Sequence, residues 1–186
     1  FNSSDTSSAQ SSSSEQTTLN VKIGISFISG LKACQNAKEQ IPHWDFDQTR
    51  QACIDKWEAL FSKIEIGDSS KKAQPITDSQ RRQFYTAIYH TLLEPVDRTG
   101  ENPLWSYPGV PYYDDFYAIW DTYRTSSPLI TLLDPQRETD IINSLLNICH
   151  RDGYMPDARS GNCNGRTQGG SNAEIVFADG CAQGMT

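Results

Sequence analysis

The sequence predicts a mainly α-helical chain whose first regular element is a single β-strand. Apolar and polar residues alternate over 19–29, which is typical of a strand that buries one face. Further along the chain, apolar residues recur three and four positions apart, which is typical of amphipathic helices. Since one strand is not stable by itself, we expect its partner strands to precede it.

Helical spacing and end signals define the elements that follow. A helix over 79–93 has Thr77 or Asp78 as its candidate N-cap and ends before a proline, which cannot continue a helix. A second clear helix covers 137–150 and is followed by Gly153, a residue type that favours helix C-termini. We also predict helical segments at 47–66, 116–123, 129–133 and 173–178.

Other stretches lack this periodicity. Residues 1–18 are dominated by serine, threonine and glutamine, and we predict disorder because such a segment buries too little apolar surface to offset its ordering entropy. Residues 94–116 combine prolines and glycines with aromatic residues in a long loop, and long ordered loops are often functional. Residues 161–170 are rich in glycine and asparagine, which suits turns or a close approach of the backbone to a ligand.

Composition excludes several function classes. The 186 residues carry a net charge of −7 without a cluster of lysine or arginine, so we expect no nucleic-acid interface. No run approaches the ~18–20 apolar residues of a membrane-spanning helix, so we expect no membrane partner. The five cysteines contain no CxxC pair and the three histidines are isolated, so neither a zinc ribbon nor a histidine metal site is predicted.

Aromatic residues and carboxylates are concentrated around residue 120. The run YYDDF at 112–116 precedes WDTYR at 120–124. An aromatic ring packs on the C–H face of a sugar while a carboxylate accepts bonds from adjacent hydroxyls, so this pattern indicates a sugar site. The same residues also allow a structural interpretation. In it, the aspartates of the first run cap a helix, the tryptophan lies in the core, and Asp121 forms an ion pair with Arg124.

Glycoside hydrolysis requires a pair of carboxyl groups, one as acid and the other as base or nucleophile. The spacing of the acidic residues selects no pair, because the two groups usually come from distant segments. The simpler interpretation of each acidic residue is that it faces solvent. The candidates are Asp114, Asp115, Asp121, Asp157, Glu174 and Asp179.

Several short blocks occur in a characteristic order. WDTYR at 120–124, and SLLN at 144–147 followed by GYMP at 153–156, are specific in combination. The other blocks are YDDF at 113–116, PL at 128–129, GGSNAE at 169–174 and ADG at 178–180. Together they resemble glycoside hydrolase family 92, the calcium-dependent exo-α-mannosidases, and in particular its secreted fungal members. The resemblance extends from residue 19 to residue 179.

The resemblance implies an N-terminal β-sandwich, a helical linker and an (α/α)6 barrel. Within this chain it implies the last strand of the sandwich at 19–30 and linker helices at 31–75. Residues 76–186 would then form the first part of an incomplete (α/α)6 barrel. The remaining barrel helices are expected in a longer protein, of which this chain is a fragment.

The resemblance also implies a mechanism and a cofactor. Members of the family invert configuration with one acid and one base, and a calcium ion holds two sugar hydroxyls. Trp120 and Asp121 match the block that lines the mannose site, so a substrate-binding role is carried over to them, while Arg124 is expected to orient Asp121. The base aspartates and the calcium ligands are expected beyond residue 186. No metal ligand is therefore assigned here, and the isolated chain is expected to be inactive.

One position departs from the family pattern. Where bacterial members place the general acid, a glutamate, this sequence has Asn164, and the other nearby candidate is Gln168. An amide has no acidic proton to donate. A mannose-phosphate diester needs less acid assistance, because phosphate is an activated leaving group, so such a diester is an alternative substrate.

The resemblance places the chain in the secretory pathway or outside the cell, with α-mannosides of glycans or glycoproteins as its substrates. Two alternatives stay open. One is a non-catalytic mannose-binding protein that uses Trp120, Asp121 and the aromatic loop. The other is a helical interaction domain whose aromatic residues all lie in the core.

Overall fold

The computed structural model of this chain describes residues 18–67, 75–116, 118–165 and 170–185. Helices dominate these residues, as the sequence predicts, and two short antiparallel strand pairs lie between them. The predicted serine-rich disordered segment, 1–18, lies outside the described residues except for its last residue. The elements are α1 (Gly30–Gln40), α2 (Phe46–Phe61), α3 (Asp78–Thr91), β1 (Val96–Asp97), β2 (Tyr113–Asp114), α4 (Ile119–Thr122), α5 (Ser126–Leu133), α6 (Pro135–Asp152), β3 (Arg159–Ser160), β4 (Cys163–Asn164) and α7 (Ala173–Ala182).

The segment predicted as a strand, 19–29, forms no β-ladder in the described part of the chain. Its apolar side chains are exposed rather than half-buried: Leu19 is 84% exposed and Ile25 is 76% exposed. The physical reason is that no neighbouring strand among the described residues supplies the hydrogen bonds and the apolar face that a ladder requires. The assignment of this segment to a β-sandwich stays a prediction.

Polar contacts and one glycine attach this segment to the fold. Glu101 accepts hydrogen bonds from the Ser26 hydroxyl at 2.6 Å and from the Asn36 amide at 2.7 Å. Gly24 passes so close to α1 that a Cβ at this position would collide with the carbonyl oxygen of Ala33. The segment is therefore held by hydrogen bonds and close backbone contact rather than by burial of its apolar residues.

Helices α1 and α2 begin at side-chain caps but contain no fully buried residue. Ser29 and Asp45 each accept a hydrogen bond from a backbone N–H in the first turn of the helix that follows. α2 ends before the predicted boundary at residue 66 and contacts α3 through aromatic rings. The centroids of Trp57 and Tyr89 lie 4.8 Å apart. These two helices therefore pack on the rest of the chain along one side only.

The start of α3 confirms one of the two predicted caps. The Thr77 hydroxyl accepts a hydrogen bond from the Gln80 N–H, and the Gln80 side chain accepts one from the Thr77 N–H. This reciprocal pair is a capping box. The helix covers Asp78–Thr91, close to the predicted 79–93, and its buried residue is Ile88.

The region after the aromatic loop is divided differently from the prediction. The expected helix at 116–123 is reduced to the single turn of α4, and α5 then covers the apolar run that was predicted at 129–133. α6 confirms and extends the predicted helix at 137–150. Its N-terminus is capped by Asp134, and Gly153 ends it with φ of 82°, a left-handed conformation that glycine adopts without strain.

The apolar core is centred on α6. Its buried aliphatic residues contact α5, α7 and β2. Ile148 is 0% exposed and Leu145 is 1% exposed. Burying one such side chain contributes about 1.5–3 kcal/mol. α6 therefore holds together the elements that carry the aromatic and acidic blocks.

The two strand pairs are features that the sequence does not predict. Val96 of β1 lies opposite Asp114 of β2, and Arg159 of β3 lies opposite Asn164 of β4. Each strand has two residues, which is too short for an alternating pattern to mark it. The mainly helical fold is nevertheless as predicted, and it suits part of a helical barrel. Among the helices that the structure describes, none has the length and apolar character needed to span a bilayer.

Candidate active site

Two loops run side by side at the start of α4. The Phe116 N–H donates to the carbonyl oxygen of Arg159 at 2.8 Å, and the Ile119 N–H donates to the carbonyl oxygen of Asp157 at 3.0 Å. The segment that precedes α4 is thereby joined to the segment that follows α6. Two of the blocks that carry the family resemblance become neighbours through these bonds.

Asp114 is the centre of a buried ion network in these loops. The residue is 0% exposed, and its Oδ2 accepts hydrogen bonds from Nη1 of Arg98 at 2.9 Å and from the N–H of Asn162 at 2.7 Å. Nε of Arg159 lies 3.1 Å from Oδ1 of Asp114, close enough for charge attraction but without hydrogen-bond geometry. A buried carboxylate is costly unless it is paired, and here two guanidinium groups pair with it.

Asp114 and Asp115 do not cap a helix, so that structural interpretation is wrong. The residue before α4 is Ala118, and no side chain caps this helix. Asp115 instead contacts Arg98 and accepts a hydrogen bond from the Ser160 hydroxyl at 2.8 Å. Its φ of 59° lies in the left-handed region, which is uncommon for residues other than glycine. The ion network and the bond to the 157–164 loop hold this conformation in place.

Arg159 links the network to the rest of the loop. It is 1% exposed, and its Nη2 donates to the Tyr112 hydroxyl at 3.2 Å and to the Asn162 carbonyl oxygen at 3.0 Å. Nη1 donates to Asp152 at 3.2 Å and to Asn164 at 2.8 Å. Burial raises the pKa of Tyr112, although the neighbouring guanidinium of Arg159 acts in the opposite direction. Tyr112 therefore stays a neutral phenol at physiological pH.

Trp120 and Asp121 lie on the surface in α4, next to the two loops that carry the ion network. Trp120 is 37% exposed, so the interpretation of this ring as a core residue is wrong. Asp121 is exposed as well, and within the described residues its carboxylate has no hydrogen-bond or ionic partner. An accessible ring next to an uncommitted carboxylate suits a ligand that has both an apolar face and hydroxyl groups.

Arg124 does not orient Asp121, contrary to the expectation from the resemblance. Its Nη2 donates to the carbonyl oxygen of Trp120 at 3.2 Å, and its guanidinium lies 4.9 Å from the centre of the Tyr123 ring. Within the residues described, no ion pair joins Arg124 to Asp121, which also removes the predicted i, i+3 pair. Arg124 contacts the backbone of Trp120 instead.

Asn164 is committed to the loop rather than to a ligand. Its Nδ2 donates to Oδ2 of Asp152 at 2.8 Å, and its Oδ1 accepts from Arg159. Both ends of the amide are therefore occupied, and no proton donor stands at the position expected for the general acid. Gln168, the other nearby candidate, lies outside the described residues.

The remaining candidate carboxylates are Asp157, Glu174 and Asp179. The Ser171 hydroxyl lies 2.5 Å from Oε2 of Glu174 and 3.3 Å from the carbonyl oxygen of Pro156, so the start of α7 adjoins Asp157. Asp179 is exposed further along α7. Asp121, Asp157 and Glu174 therefore belong to three segments that meet here, although the sequence spacing singles out none of them.

One buried carboxyl group, Glu138, is not among the candidates that the sequence predicts. It is 2% exposed; its Oε1 accepts from the Ser127 hydroxyl, and its Oε2 has no partner in the part of the chain that the structure describes. It lines a small cavity of about 30 Å³ between α5, α6 and α7. Burial raises the pKa of Glu138 to about 7, although the Ser127 hydrogen bond opposes this. No motif marks it, because its burial depends on how three helices pack.

The described residues contain no ready-made cluster of acidic side chains for a calcium ion. Calcium takes about six to eight oxygen ligands in proteins. No group of three or more His, Cys, Asp or Glu side chains placed to hold a metal ion occurs within residues 18–67, 75–116, 118–165 and 170–185. Whether calcium binds near Trp120 stays a prediction.

Comparison with known proteins identifies the family. A profile of the glycosyl hydrolase family 92 catalytic domain matches residues 32–186. This chain belongs to glycosyl hydrolase family 92. It is 35% identical over 172 residues to an uncharacterized secreted glycosidase of Arthroderma benhamiae, a match that covers 91% of this chain and 18% of the relative. A family GH92 inverting mannosidase of Bacteroides thetaiotaomicron has a similar structure, with a TM-score of 0.69 and 26% identity over 87% of this chain.

The family 92 assignment confirms the resemblance drawn from the ordered blocks. The chain spans 18% of the fungal relative and 22% of the bacterial structure. Three of the family blocks meet around the loop that contains Asp157. They are WDTYR at 120–124, GYMP at 153–156 and the described part of GGSNAE, 170–174. The role of Trp120 and Asp121 in sugar binding stays a prediction.

Proposed function

We propose that this chain forms the sugar-binding part of an exo-α-mannosidase that removes α-1,2-linked mannose from glycans or glycoproteins. The observation that carries the proposal is the exposed pair of Trp120 and Asp121 at the junction of three family blocks. The mannosidase named in the structural relative supports the substrate class. The secreted glycosidase named in the fungal relative supports action in the secretory pathway or outside the cell.

Trp120 and Asp121 have complementary parts in this proposal. The indole ring of Trp120 packs on the C–H face of a terminal mannose, which orients the sugar without fixing its hydroxyls. The carboxylate of Asp121 accepts hydrogen bonds from two adjacent hydroxyls and so selects their configuration. Arg124 positions the pair by holding the Trp120 carbonyl group, rather than by binding Asp121.

The acid and the base of the reaction are not identified among the residues of this chain. An inverting glycosidase uses two carboxyl groups roughly 6.5–9.5 Å apart, with a water molecule between the base and the sugar. Asn164 has no acidic proton to transfer to a leaving group, and both ends of its amide are occupied. We therefore propose that further barrel segments complete the catalytic pair, so that the isolated chain binds sugar with little or no turnover.

We propose that the complete enzyme also uses calcium, with ligands that this chain does not supply alone. A bound calcium ion would hold sugar hydroxyls and help to distort the ring. We propose that most of its ligands come from outside this chain; among the described residues, no cluster of His, Cys, Asp or Glu side chains is placed to hold a metal ion. We therefore expect calcium to leave the thermal unfolding midpoint of this chain unchanged, and a calcium-dependent rise would contradict this assignment.

The binding proposal is tested by titrating the chain with methyl α-D-mannopyranoside while the indole N–H of Trp120 is followed by NMR. We expect a saturable shift with a Kd on the order of 1 mM, lost in Asp121→Ala and kept in Asp47→Ala, which removes an exposed aspartate in α2. An unmoved Trp120 signal would overturn the sugar site.

Turnover is tested separately. Mannose release from α-1,2-mannobiose is measured with calcium and again with a chelator, and we expect no release from the isolated chain. Release that depends on calcium and disappears in Asp121→Ala would show that these residues already contain the acid and the base. That outcome would overturn the expected inactivity while supporting the mannosidase function.

A mannose-phosphate diester is a second candidate substrate, and the engaged amide of Asn164 is the observation that favours it. A phosphate leaving group departs without protonation by a strong acid, so an amide at this position is tolerable. The test compares cleavage of a mannose-1-phosphate diester with cleavage of mannobiose by the longer enzyme that contains this chain. A preference for mannobiose would exclude the diester.

A further inference from the structure

The cavity of about 30 Å³ beside Glu138 lies where four helices of the described chain meet. Besides residues of α5, α6 and α7, its wall contains Ile119 and Thr122 of α4, the helix that also carries Trp120. Among the described residues that line the cavity, Glu138 alone has an ionisable side chain. A change in the protonation state of this one residue therefore acts at the contact of four helices.

The carboxyl group of Glu138 is only half satisfied in this packing. Its Oε1 accepts a hydrogen bond from the Ser127 hydroxyl, whereas its Oε2 has no hydrogen-bond partner among the described residues and no contact with solvent. A cavity of this volume holds about one water molecule, too few to hydrate a carboxylate. A buried charge without partners is unfavourable, so the closed packing suits the neutral carboxylic acid. The charged form requires the helices to separate and admit water.

Charges on α6 and α7 do not compensate an ionised Glu138. Burial raises the pKa of Glu138 to about 7, and the charge of Asp179 on α7 adds to this rise. Arg137, the neighbouring residue on α6, acts in the opposite direction but is the weakest of these influences. Its Nη2 donates to the carbonyl oxygens of Leu92 and Pro95. Neither helix therefore offers a counter-charge committed to Glu138.

The other groups around the cavity add no counter-charge. α5 contains no titratable side chain, and the loop residues in the wall, Pro95 and Phe116, are uncharged. Asp121 of α4 and Glu174 of α7 are acidic and exposed. An ionised Glu138 would therefore have acidic residues rather than cations on these two helices.

α4 is the least firmly held of the four helices. It is a single turn of four residues, and no side-chain hydrogen bond caps its N-terminus. A helix of this length is not stable without tertiary contacts. α5 and α7, by contrast, pack along α6. Separating α4 from the cavity therefore costs less than separating the longer helices from one another.

We propose that Glu138 is a proton-operated switch that controls the packing of α4. With the carboxyl group protonated, α4 closes the cavity; when the proton passes to bulk water, α4 moves outward and the carboxylate is hydrated. In the open form Glu138 titrates as an ordinary glutamate, so the open population rises with pH between 4.5 and about 7 and then levels off. The inference concerns the order of α4 and needs no sugar. Its consequence for Trp120 and Asp121 as a sugar site rests on the proposed function.

The experiment follows hydrogen exchange of single backbone amides by NMR, with each rate expressed as protection relative to its intrinsic rate. The N–H groups of Ile119 and Tyr123, which donate to the carbonyl oxygens of Asp157 at 3.0 Å and of Ile119 at 2.9 Å, report on α4. We expect their protection to fall at least tenfold between about pH 5 and about pH 7 and then to level off. Low urea concentrations should leave it unchanged, because local opening exposes little surface, whereas the Ile148 amide in the core of α6 should respond to urea.

Matched variants test whether Glu138 is the responsible group. Glu138→Gln keeps the shape of the side chain and the acceptor for Ser127 but does not titrate, so α4 should stay protected throughout this pH range. Glu58→Gln makes the same chemical change at an exposed position on α2 and should keep the pH dependence.

Two further variants test the switch even if Glu138→Gln does not fold. Ser127→Ala removes a hydrogen bond that favours the carboxylate, so protection should level off at a higher pH. Asp179→Asn removes a charge that opposes the carboxylate, so protection should level off at a lower pH.

The outcomes separate this switch from the proposed mannose site, because the exchange measurements contain no sugar. Protection of α4 that still falls as steeply in Glu138→Gln would overturn the inference. So would α4 amides as sensitive to urea as the Ile148 amide, or an unchanged levelling-off pH in both Ser127→Ala and Asp179→Asn. A switch that operates in a chain whose Trp120 signal no mannoside moves would support this inference and contradict the mannose site.

Discussion

Residues 18–67 and residues 75–185 have similar apolar patterns but very different degrees of burial. The first region contains helices α1 and α2, neither of which has a fully buried residue, and an apolar segment whose alternate side chains are exposed. The second contains α6, which buries four aliphatic side chains together with Glu138 and Ser144. Periodicity thus marks which face of an element is apolar, whereas burial requires a partner for that face.

The same contrast holds for polar groups. In the second region, Asp114 and Arg159 are buried and depend on each other for charge compensation. The polar contacts that join the two regions, such as those of Glu101 with Ser26 and Asn36, are only partly buried. We therefore expect substitutions in the second region to unfold the chain, and substitutions in the first to loosen it locally.

The largest effect is expected at the ion network. Asp114→Asn keeps the shape of the side chain but leaves Arg98 and Arg159 without their shared counter-charge. Removing one partner of a buried ion pair costs about 3–5 kcal/mol. Asp121→Asn, at an exposed aspartate whose carboxylate has no partner among the described residues, should change the free energy of unfolding by less than ~0.5 kcal/mol. Urea unfolding of both variants checks this, and equal midpoints would contradict the role given to the network.

A pair of leucines tests the contrast between the two regions directly. Leu145 on α6 is 1% exposed and Leu31 on α1 is 83% exposed. Leu145→Ala should lower the free energy of unfolding by about 2–5 kcal/mol, and Leu31→Ala by less than ~0.5 kcal/mol. If Leu31→Ala proved as destabilising as Leu145→Ala, α1 would have a packing partner in solution, for example in a dimer, and the comparison would fail.

The buried carboxyl group of Glu138, in the second region, should make the free energy of unfolding depend on pH. Its pKa is raised by burial from 4.5 to about 7, and the charge of Asp179 adds to this. Between these values the folded chain keeps a proton that the unfolded chain releases, so stability falls as pH rises from 4.5 to 7 and then levels off. The loss amounts to about 3 kcal/mol.

Glu138→Gln should remove this part of the dependence, because an amide does not titrate. Glu58→Gln, an exposed change on α2, should retain it. Unfolding free energies measured at several pH values provide the check. A Glu138→Gln variant whose stability still falls as steeply as that of the unmodified chain would show that Glu138 is not the responsible group.

The smallest effect is expected at Glu101. Burial alone raises the pKa of Glu101, but hydrogen bonds from Ser26, Asn36 and the Phe27 N–H outweigh it and lower the pKa. Glu101→Ala should therefore speed hydrogen exchange at the Phe27 amide and change global stability by no more than ~1 kcal/mol. In the unmodified chain the protection of this amide, measured relative to its intrinsic exchange rate, should fall as the pH drops through the lowered pKa of Glu101, since the carboxylate becomes protonated. Glu65→Ala, which removes an exposed glutamate, should leave this exchange rate unchanged.

The candidate site was predictable in part. The sequence places an aromatic residue and a carboxylate next to each other at 120–121, but it also allows a buried tryptophan and an Asp121–Arg124 ion pair. Only the structure shows that Trp120 is accessible and that Arg124 binds its carbonyl group instead. The choice depends on which face of α4 packs inward, and a helix of one turn carries too few residues to reveal this in its pattern.

The sequence by itself determined most of the helices, the N-cap of α3 to within one residue, the glycine that ends α6 and the family blocks. These depend on neighbours within a few positions, so local patterns are sufficient. The tertiary structure decided the rest: the pairing of Asp114 with Arg159, the burial of Glu138 and the exposure of the 19–29 segment. Each depends on groups brought together from distant positions, or on partner strands that are not among the described residues. Local patterns carry no information about such partners.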